Sequence, residues 1–371
     1  MWIIIVSSAI YFLSLIFFLL GLKTTKLTKS YINPTTDVSV ILCVRNGQNS
    51  LFNILNDFIN QDYDGNIEFI IVDDNSTDET KNIILEFVVK DDRFKYIVSK
   101  SDKSSLNHKK KALNAGISAS KYEWLLFTDV DCRVNKKWVS GMASNYNEND
   151  YIIGLSMTSS NNSLVSQFQS IDYSMLMYSA CSAANLGFPL ACTGQNQSYK
   201  KSVFEKAGGF NRISHLLQGD DSIFLQLCNK KQEIKTIFST NHDSFVRAKT
   251  HHSLKDFILQ RIRWAGDANL MWKYNFTFFI IILSTFLANL FSLYLIINLL
   301  LFQSFLELTI SIILIKFILE FLIYIIGCMK FEKSVQYFSF MYWFFFQIPY
   351  VIFMGIFSFF RDKFKWKSRT I

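Results

Sequence analysis

Proline and charge are scarce in this chain: 3 prolines and 18% charged residues in 371, against 50% hydrophobic and 16% aromatic. That balance excludes an ordinary water-soluble protein. The six cysteines (Cys43, Cys132, Cys181, Cys192, Cys228 and Cys328) form no C-x-x-C pair and show no zinc-site spacing. A disulfide framework and a cysteine metal centre are set aside, leaving reduced thiols packed as small hydrophobes. No basic stripe interleaved with aromatics lies between the hydrophobic ends, so the net charge of +8 does not point to nucleic acid. His242, His251 and His252 lack any further ligand spacing and read as structural. The first 22 residues lack a basic n-region and a small-x-small cleavage site, which argues against a cleaved signal peptide.

What the chain has is long apolar runs. Residues 1–22 are uncharged and long enough to span a bilayer as an anchor helix. Lys23, Lys26 and Lys29 follow, and by the positive-inside rule they hold that end, and the domain after it, in the cytoplasm. A C-terminal membrane domain is expected over 276–371, with spans at 276–302 and 308–328. Lys316 and Glu320 fall inside the second span at i, i+4, where pairing limits the cost of burying charge. Residues 334–360 are interrupted by Gln347 and Pro349 and precede a basic tail (Arg361, Lys363, Lys365, Lys367, Arg369). The tail and the Lys330/Lys333 loop both favour the cytoplasmic side, so 334–360 is expected to be interfacial or re-entrant.

Between these ends, over 36–270, strands and helices alternate. Residues 38–43, 68–72, 94–98 and 122–129 read as buried strands, and 50–60 and 109–119 as helices between them. Such alternation predicts a mainly parallel, Rossmann-like α/β sheet. Ser76 or Thr77 is expected to cap the helix after the second strand.

Two of the strands end in acids. The run Trp124-Leu125-Leu126-Phe127-Thr128 stops at Asp129-Val130-Asp131, and side chains at i and i+2 share one side of an extended chain. At the C-terminal edge of an open α/β sheet, where ligands bind, such a pair suits Mg²⁺ or Mn²⁺ already holding phosphate oxygens. Asp-x-Asp by itself is equally what a solvated turn looks like. The second acidic strand end, Asp73-Asp74, weakens that alternative. Lys109-Lys110-Lys111, at a helix start between them, is either a solvated face or a diphosphate contact. Downstream come the polar turn Thr193-Gly194-Gln195-Asn196-Gln197-Ser198, a helix over 201–207 closed by Gly208-Gly209, and Gly219-Asp220-Asp221 opening a helix over 222–228. A helix over 254–264 carries Gln260, Arg263 and Trp264 on one face, able to grip a phosphate and stack on a sugar.

Val38-Ser39-Val40-Ile41, Val72-Asp73-Asp74-Asn75-Ser76, Thr128-Asp129-Val130-Asp131, Gly219-Asp220-Asp221 and Gln260-x-x-Arg263-Trp264 occur in that order. Together they resemble the membrane-bound family 2 glycosyltransferases, the group that includes cellulose, chitin and hyaluronan synthases and ceramide glucosyltransferase. The resemblance implies a GT-A fold and an inverting transfer from a nucleotide-diphosphate sugar, a UDP-sugar first, to a lipid or glycan acceptor at the membrane. It implies Asp73, Asp74, Asp129, Lys111 and Asn196 at the nucleotide sugar and Asp131 on a Mg²⁺ or Mn²⁺ ion. Asp220 matches the catalytic base, with Asp221 the alternative, and Gln260, Arg263 and Trp264 match the element near the diphosphate and acceptor. Gly219 departs from the family's usual acid, and Arg45-Asn46-Gly47 ends without its common glutamate. A bacterial inner-membrane enzyme with a cytoplasmic catalytic domain is expected; a processive polysaccharide synthase and an inactive membrane scaffold are the alternatives.

Overall fold

The computed structural model describes residues 2–27, 34–102, 104–160, 163–231, 234–251, 253–363, 365–366 and 369–370. The expectations for Lys29, His252 and Lys367 lie outside the described residues. The chain divides into two compact units: Lys26–Thr158 with Pro189–Lys249, and Met1–Thr25 with Ser159–Phe188 and Thr250–Ile371. The span 36–270 read as one domain is thus shared between them.

The first unit is built on β1 (Val38–Val44), β2 (Ile67–Asp73), β3 (Phe94–Val98) and β4 (Trp124–Asp129), with β5 (Cys132–Val134), β6 (Tyr151–Ile153), β7 (Ser156–Ser159), β8 (Gln197–Lys200), β9 (Thr236–Phe238) and β10 (Val246–Lys249). A seven-stranded sheet runs β3-β2-β1-β4-β8-β6-β9, and a three-stranded sheet runs β5-β10-β7. β1 pairs in parallel with β2 and β4, and β2 with β3, while β8 is antiparallel to β4 and β6. β1 and β2 are buried almost throughout, as a parallel strand covered on both faces requires.

α2 (Gln48–Ile59), α3 (Thr80–Lys90) and α4 (His108–Ala119) make the crossovers, with α5 (Trp138–Ala143) beyond β5. α2 buries Leu51, Ile54, Leu55 and Phe58, an i, i+3, i+4, i+7 stripe. Phe58 stacks on Phe69 of β2 with ring centroids 4.9 Å apart. α4 lies closer to the sheet, because a Cβ at Gly116 would come within 2.7 Å of Ile41. α3 starts at Thr80 with no side-chain cap, so Ser76 and Thr77 are not its caps. Ser76 Oγ instead accepts from the Asn46 amide at 3.0 Å, and Asn46 Oδ1 accepts from the Thr77 amide at 2.8 Å, lacing the β1–α2 turn to the β2–α3 turn.

The second unit is helical: α1 (Trp2–Thr24), α6 (Leu164–Asn185), α9 (Leu254–Ala268), α10 (Met271–Tyr274), α11 (Phe276–Phe302), α12 (Leu306–Lys330) and α13 (Tyr337–Phe357). The remaining α7 (Lys201–Ala207) and α8 (Ser222–Lys231) belong to the sheet unit. Among the described residues four helices are long and apolar enough to cross a membrane: Trp2–Thr24, Phe276–Phe302, Leu306–Lys330 and Tyr337–Phe360. The last covers the segment expected to be interfacial or re-entrant, and it is helical over Tyr337–Phe357. Pro349 sits inside a continuous helix without breaking it.

α1 packs on α6 where Gly21 has no side chain, since a Cβ there would come within 2.4 Å of the Ser182 carbonyl oxygen. Small residues that let backbones approach are the usual means of joining membrane helices. Lys316 and Glu320 do pair, at 2.7 Å, and both are almost fully buried. Tyr11 of α1 and Gln347 of α13 also donate to Glu320, the latter at 2.5 Å, so one carboxylate ties three helices together.

Candidate active site

The strand order places the site. From β1 the chain moves outward to β2 and β3, and α4 then carries it back across β1 to β4. The reversal between β1 and β4 is a topological switch point, which leaves a crevice beyond the strands' carboxyl ends. In register, Asp129 stands beside Cys43 and Asp73 beside Val44, so both acidic strand ends reach that edge.

Asp73 and Asp74 are buried. Asp73 Oδ1 accepts from the Ser76 amide at 2.9 Å and Oδ2 from the Tyr96 hydroxyl at 3.2 Å. Asp74 Oδ1 accepts from Ser99 Oγ at 2.9 Å. Burial raises the Asp74 pKa, and the Ser99 hydrogen bond and nearby Arg45 and His108 only partly oppose it.

The centre of the site is Lys109, in the first turn of α4. Its Nζ lies 3.0 Å from Asp129 Oδ1 and 3.2 Å from Asp220 Oδ2, bridging two acids from distant stretches of sequence. Burial pushes the Asp220 pKa up, but Lys109, backbone hydrogen bonding and Lys110 outweigh it and hold the carboxyl below its ordinary value. Asp220 therefore stands ionised at neutral pH. Asp221 is placed differently: its Oδ1 accepts from the Ser222 amide at 2.6 Å, at the start of α8.

Lys110 faces inward, 1% exposed, and its Nζ donates to the carbonyls of Leu216 and, at 3.0 Å, Gln218. It holds the loop that ends in Gly219, whose φ of +98° lies in the left-handed region that suits glycine. Gln197 steadies the same loop from β8, its Nε2 donating to the Asp220 carbonyl at 3.4 Å, and Tyr151 in turn donates to Gln197 Oε1 at 2.6 Å. Gly194 passes beside the pair, for a Cβ there would sit 3.2 Å from Lys109 Nζ and 3.7 Å from Asp220 Oδ2. Asp131 lies half-buried on the turn between β4 and β5.

Two expected contacts are placed elsewhere. Lys111 is half-buried and is not the lysine that meets the acids; Lys109 is. Asn196 is fully buried, with Oδ1 accepting from Trp138 Nε1 at 3.1 Å and Nδ2 donating to the carbonyls of Leu155 and Ser244 at 2.8 Å each. Its amide lies against Gly154, where a Cβ would come within 2.3 Å. These bonds use the amide as an internal brace, so it does not face a ligand. Lys109 and Lys110 belonged to the lysine cluster noted in the sequence and Gln197 to the polar turn, but nothing there set them apart from their neighbours, and nothing marked Tyr151.

Gln260, Arg263 and Trp264 lie on α9 in the helical unit, each half-buried. The Trp264 ring is 5.8 Å from that of Tyr173 on α6.

Comparison with known proteins agrees with this layout. The profile of glycosyl transferase family 2 matches residues 39–208, and that of glycosyl transferase family group 2 matches residues 124–357. The chain is 32% identical over 111 residues to the GalNAc(5)-diNAcBac-PP-undecaprenol beta-1,3-glucosyltransferase of Campylobacter jejuni, a match covering 30% of this chain and 35% of that protein. It is 24% identical over 249 residues to the probable glycosyltransferase YdaM of Bacillus subtilis, covering 65% of this chain and 58% of the relative. The chain thus spans about a third and somewhat over half of these two relatives. A mannosyltransferase of Pyrobaculum calidifontis, solved with GDP-Man and Mn²⁺, superposes with a TM-score of 0.57 at 14% identity, over 89% of this chain and 98% of that one. Family profile, sheet order and acidic strand ends agree, and the chain belongs to the family 2 glycosyltransferases, with a GT-A fold and helices long and apolar enough to cross a membrane.

Proposed function

We propose that the enzyme transfers a sugar from a nucleotide-diphosphate sugar to a hydroxyl of a lipid or lipid-linked acceptor, in one displacement that inverts the anomeric centre. The observation that carries this reading is the meeting of Asp129 and Asp220 around Lys109 at the switch point of the sheet.

A sugar hydroxyl is a poor nucleophile at neutral pH, and an ionised carboxylate within hydrogen-bond reach removes its proton as the new bond forms. Asp220 takes that role, because Asp221 is engaged by the start of its own helix. As the hydroxyl oxygen bonds to the anomeric carbon, the bond from that carbon to the diphosphate oxygen breaks, and the electron pair leaves with the nucleotide. Lys109 supplies positive charge beside the leaving group where negative charge develops. Asp73 and Asp74 close the nucleoside side of the crevice.

Among the described residues no three His, Cys, Asp or Glu side chains gather into a metal cage. Asp131 fits a different arrangement, since Mg²⁺ typically takes one or two carboxylates plus substrate phosphates. A Mg²⁺ or Mn²⁺ ion held by Asp131 and the donor's diphosphate would neutralise the departing charge. The Mn²⁺ bound with GDP-Man in the Pyrobaculum enzyme supports a divalent ion here. Gln260, Arg263 and Trp264 serve the diphosphate and acceptor.

The polyprenyl-linked acceptor named for the Campylobacter relative supports a lipid-linked acceptor over free glycan. Lys23 in the last turn of α1 and Lys26 just past it support a cytoplasmic sheet unit, as in a bacterial inner-membrane enzyme.

The test is purified full-length protein in detergent with Mn²⁺ or Mg²⁺, screened against UDP- and GDP-sugars and a bacterial lipid extract. Asp220→Asn should abolish transfer and keep nucleotide binding, Asp221→Asn should retain most activity, and Asp131→Ala should lose metal-dependent nucleotide binding. Full turnover by Asp220→Asn removes it from the base role. Absence of transfer and of sugar-nucleotide hydrolysis across the panel favours a scaffold.

A further inference from the structure

α9 buries Phe257, Arg261, Ile262 and Gly266. Phe257 and Arg261 are one turn apart, so a guanidinium sits in the apolar stripe, and it is only 5% exposed. A charge in that position is costly unless it is paired. Its partner is Asp172 of α6, with Arg261 Nη2 at 2.9 Å from Asp172 Oδ2. The Tyr350 hydroxyl of α13 also hydrogen-bonds the Asp172 carboxylate. The guanidinium lies 4.2 Å from the centre of the Trp264 ring and 5.1 Å from that of Phe257. Tyr173, next to Asp172, reaches the same indole. Trp264 is therefore held by Arg261 and by the residue adjacent to the partner of Arg261.

As a device for stability alone this pair is poor. Arg261 Nε and Nη1 make no hydrogen bond among the described residues, nor does Asp172 Oδ2, whose contact with Arg261 lacks hydrogen-bond alignment. A buried ion pair with unmade hydrogen bonds is often matched or exceeded in stability by apolar residues of similar volume. What apolar residues would not reproduce is direction: a planar cation stacked on one indole and tied to one carboxylate fixes the rotation of α9 about its own axis. That rotation decides where Gln260, Arg263 and Trp264 point.

We infer that Asp172 and Arg261 are a positioning pair that sets the rotation of α9 and the plane of the Trp264 indole for the transfer reaction. This rests on the proposed role of α9 at the diphosphate and acceptor.

The test uses full-length protein in detergent, with UDP-glucose as donor, or GDP-mannose if the panel selects it, and bacterial lipid extract as acceptor. The double variant Asp172→Leu/Arg261→Met removes both charges together and is expected to keep the wild-type Tm. Its KM for the donor should stay within about twofold while kcat falls roughly 10- to 100-fold, the scale of a displacement near 1 Å in a positioned group. Arg261→Lys keeps the charge but not the flat stack and should lose kcat by a smaller factor at unchanged Tm, which serves as the reading should the double variant not fold. Wild-type kcat in whichever of these folds overturns the inference, as does a fall in kcat matched by an equal rise in donor KM. Trp264→Ala separates the two levels. If it transfers normally, the role assigned to α9 fails; if it is inactive while the double variant is fully active, only the positioning pair fails.

Discussion

Replacing Asn196 by alanine tests whether that residue braces the fold or grips the donor. The substitution removes three hydrogen bonds at once and strands the Trp138 indole N–H and the Ser244 carbonyl in the interior, while the Leu155 carbonyl keeps the Val246 amide. Each buried polar group left unpaired costs about 1–3 kcal/mol, so the sum for two is on the order of 2–6 kcal/mol before relaxation. That is a large part of the roughly 5–15 kcal/mol by which folded domains are usually stable. With about 2–4 °C of Tm per kcal/mol for a unit of this size, even the low end should lower Tm by at least about 4 °C. Asn196→Asp should be no better, because a second oxygen would replace the amide nitrogen that faces two carbonyl oxygens. The assay is thermal unfolding in detergent, alongside UDP binding at a temperature where the variant remains folded, and binding there should be near wild type. A variant with wild-type Tm and weakened UDP affinity would refute the brace and return Asn196 to the ligand.

Other outcomes follow from the same geometry. The Asp220 pKa is held below its ordinary 3.8 against burial, chiefly by Lys109. Its ionised form therefore adds stability that is complete above the unfolded carboxylate value and is lost as pH falls through the lower folded value. Lys109→Met leaves burial to act, so the acid limb of a kcat/KM profile should move to higher pH; an unmoved limb counts against Asp220 as the base. Gly116→Ala should destabilise by about 1–3 kcal/mol through overpacking against Ile41, despite the better helix former, as read by chemical denaturation. Lys316→Met leaves Glu320 buried with only Tyr11 and Gln347 and should cost about 3–5 kcal/mol, read as a loss of Tm in detergent. A cysteine in place of Arg369 should react only with a thiol reagent that reaches the cytoplasm; labelling from outside would show that Tyr337–Phe360 crosses and carries the basic tail out.

Much of this protein can be read from local pattern. Apolar runs interrupted by acids are visible in one dimension, so the parallel strands, Asp73 and Asp74 at the end of β2 and Asp129 at the end of β4 needed no coordinates. Hydropathy likewise marks α1, α11 and α12, because a bilayer demands long, predominantly apolar helices. The i, i+4 spacing of Lys316 and Glu320 already implied their pairing.

Direction and distant partnership needed the fold. Lys109, Lys110 and Lys111 are equivalent in composition but point about 100° apart around one helix. Only the seating of α4 against Ile41 through Gly116 decides that Lys109 meets the acids while Lys110 turns inward to the 216–218 carbonyls. Asn196 was expected at the nucleotide sugar from the family resemblance, and a polar turn carries no sign of which side the core lies on. Asp172 and Arg261 are far apart in sequence, and neither stands in a pattern that names the other. Periodicity fixes which residues share a face, whereas the object that face meets is set by packing between segments remote in the chain.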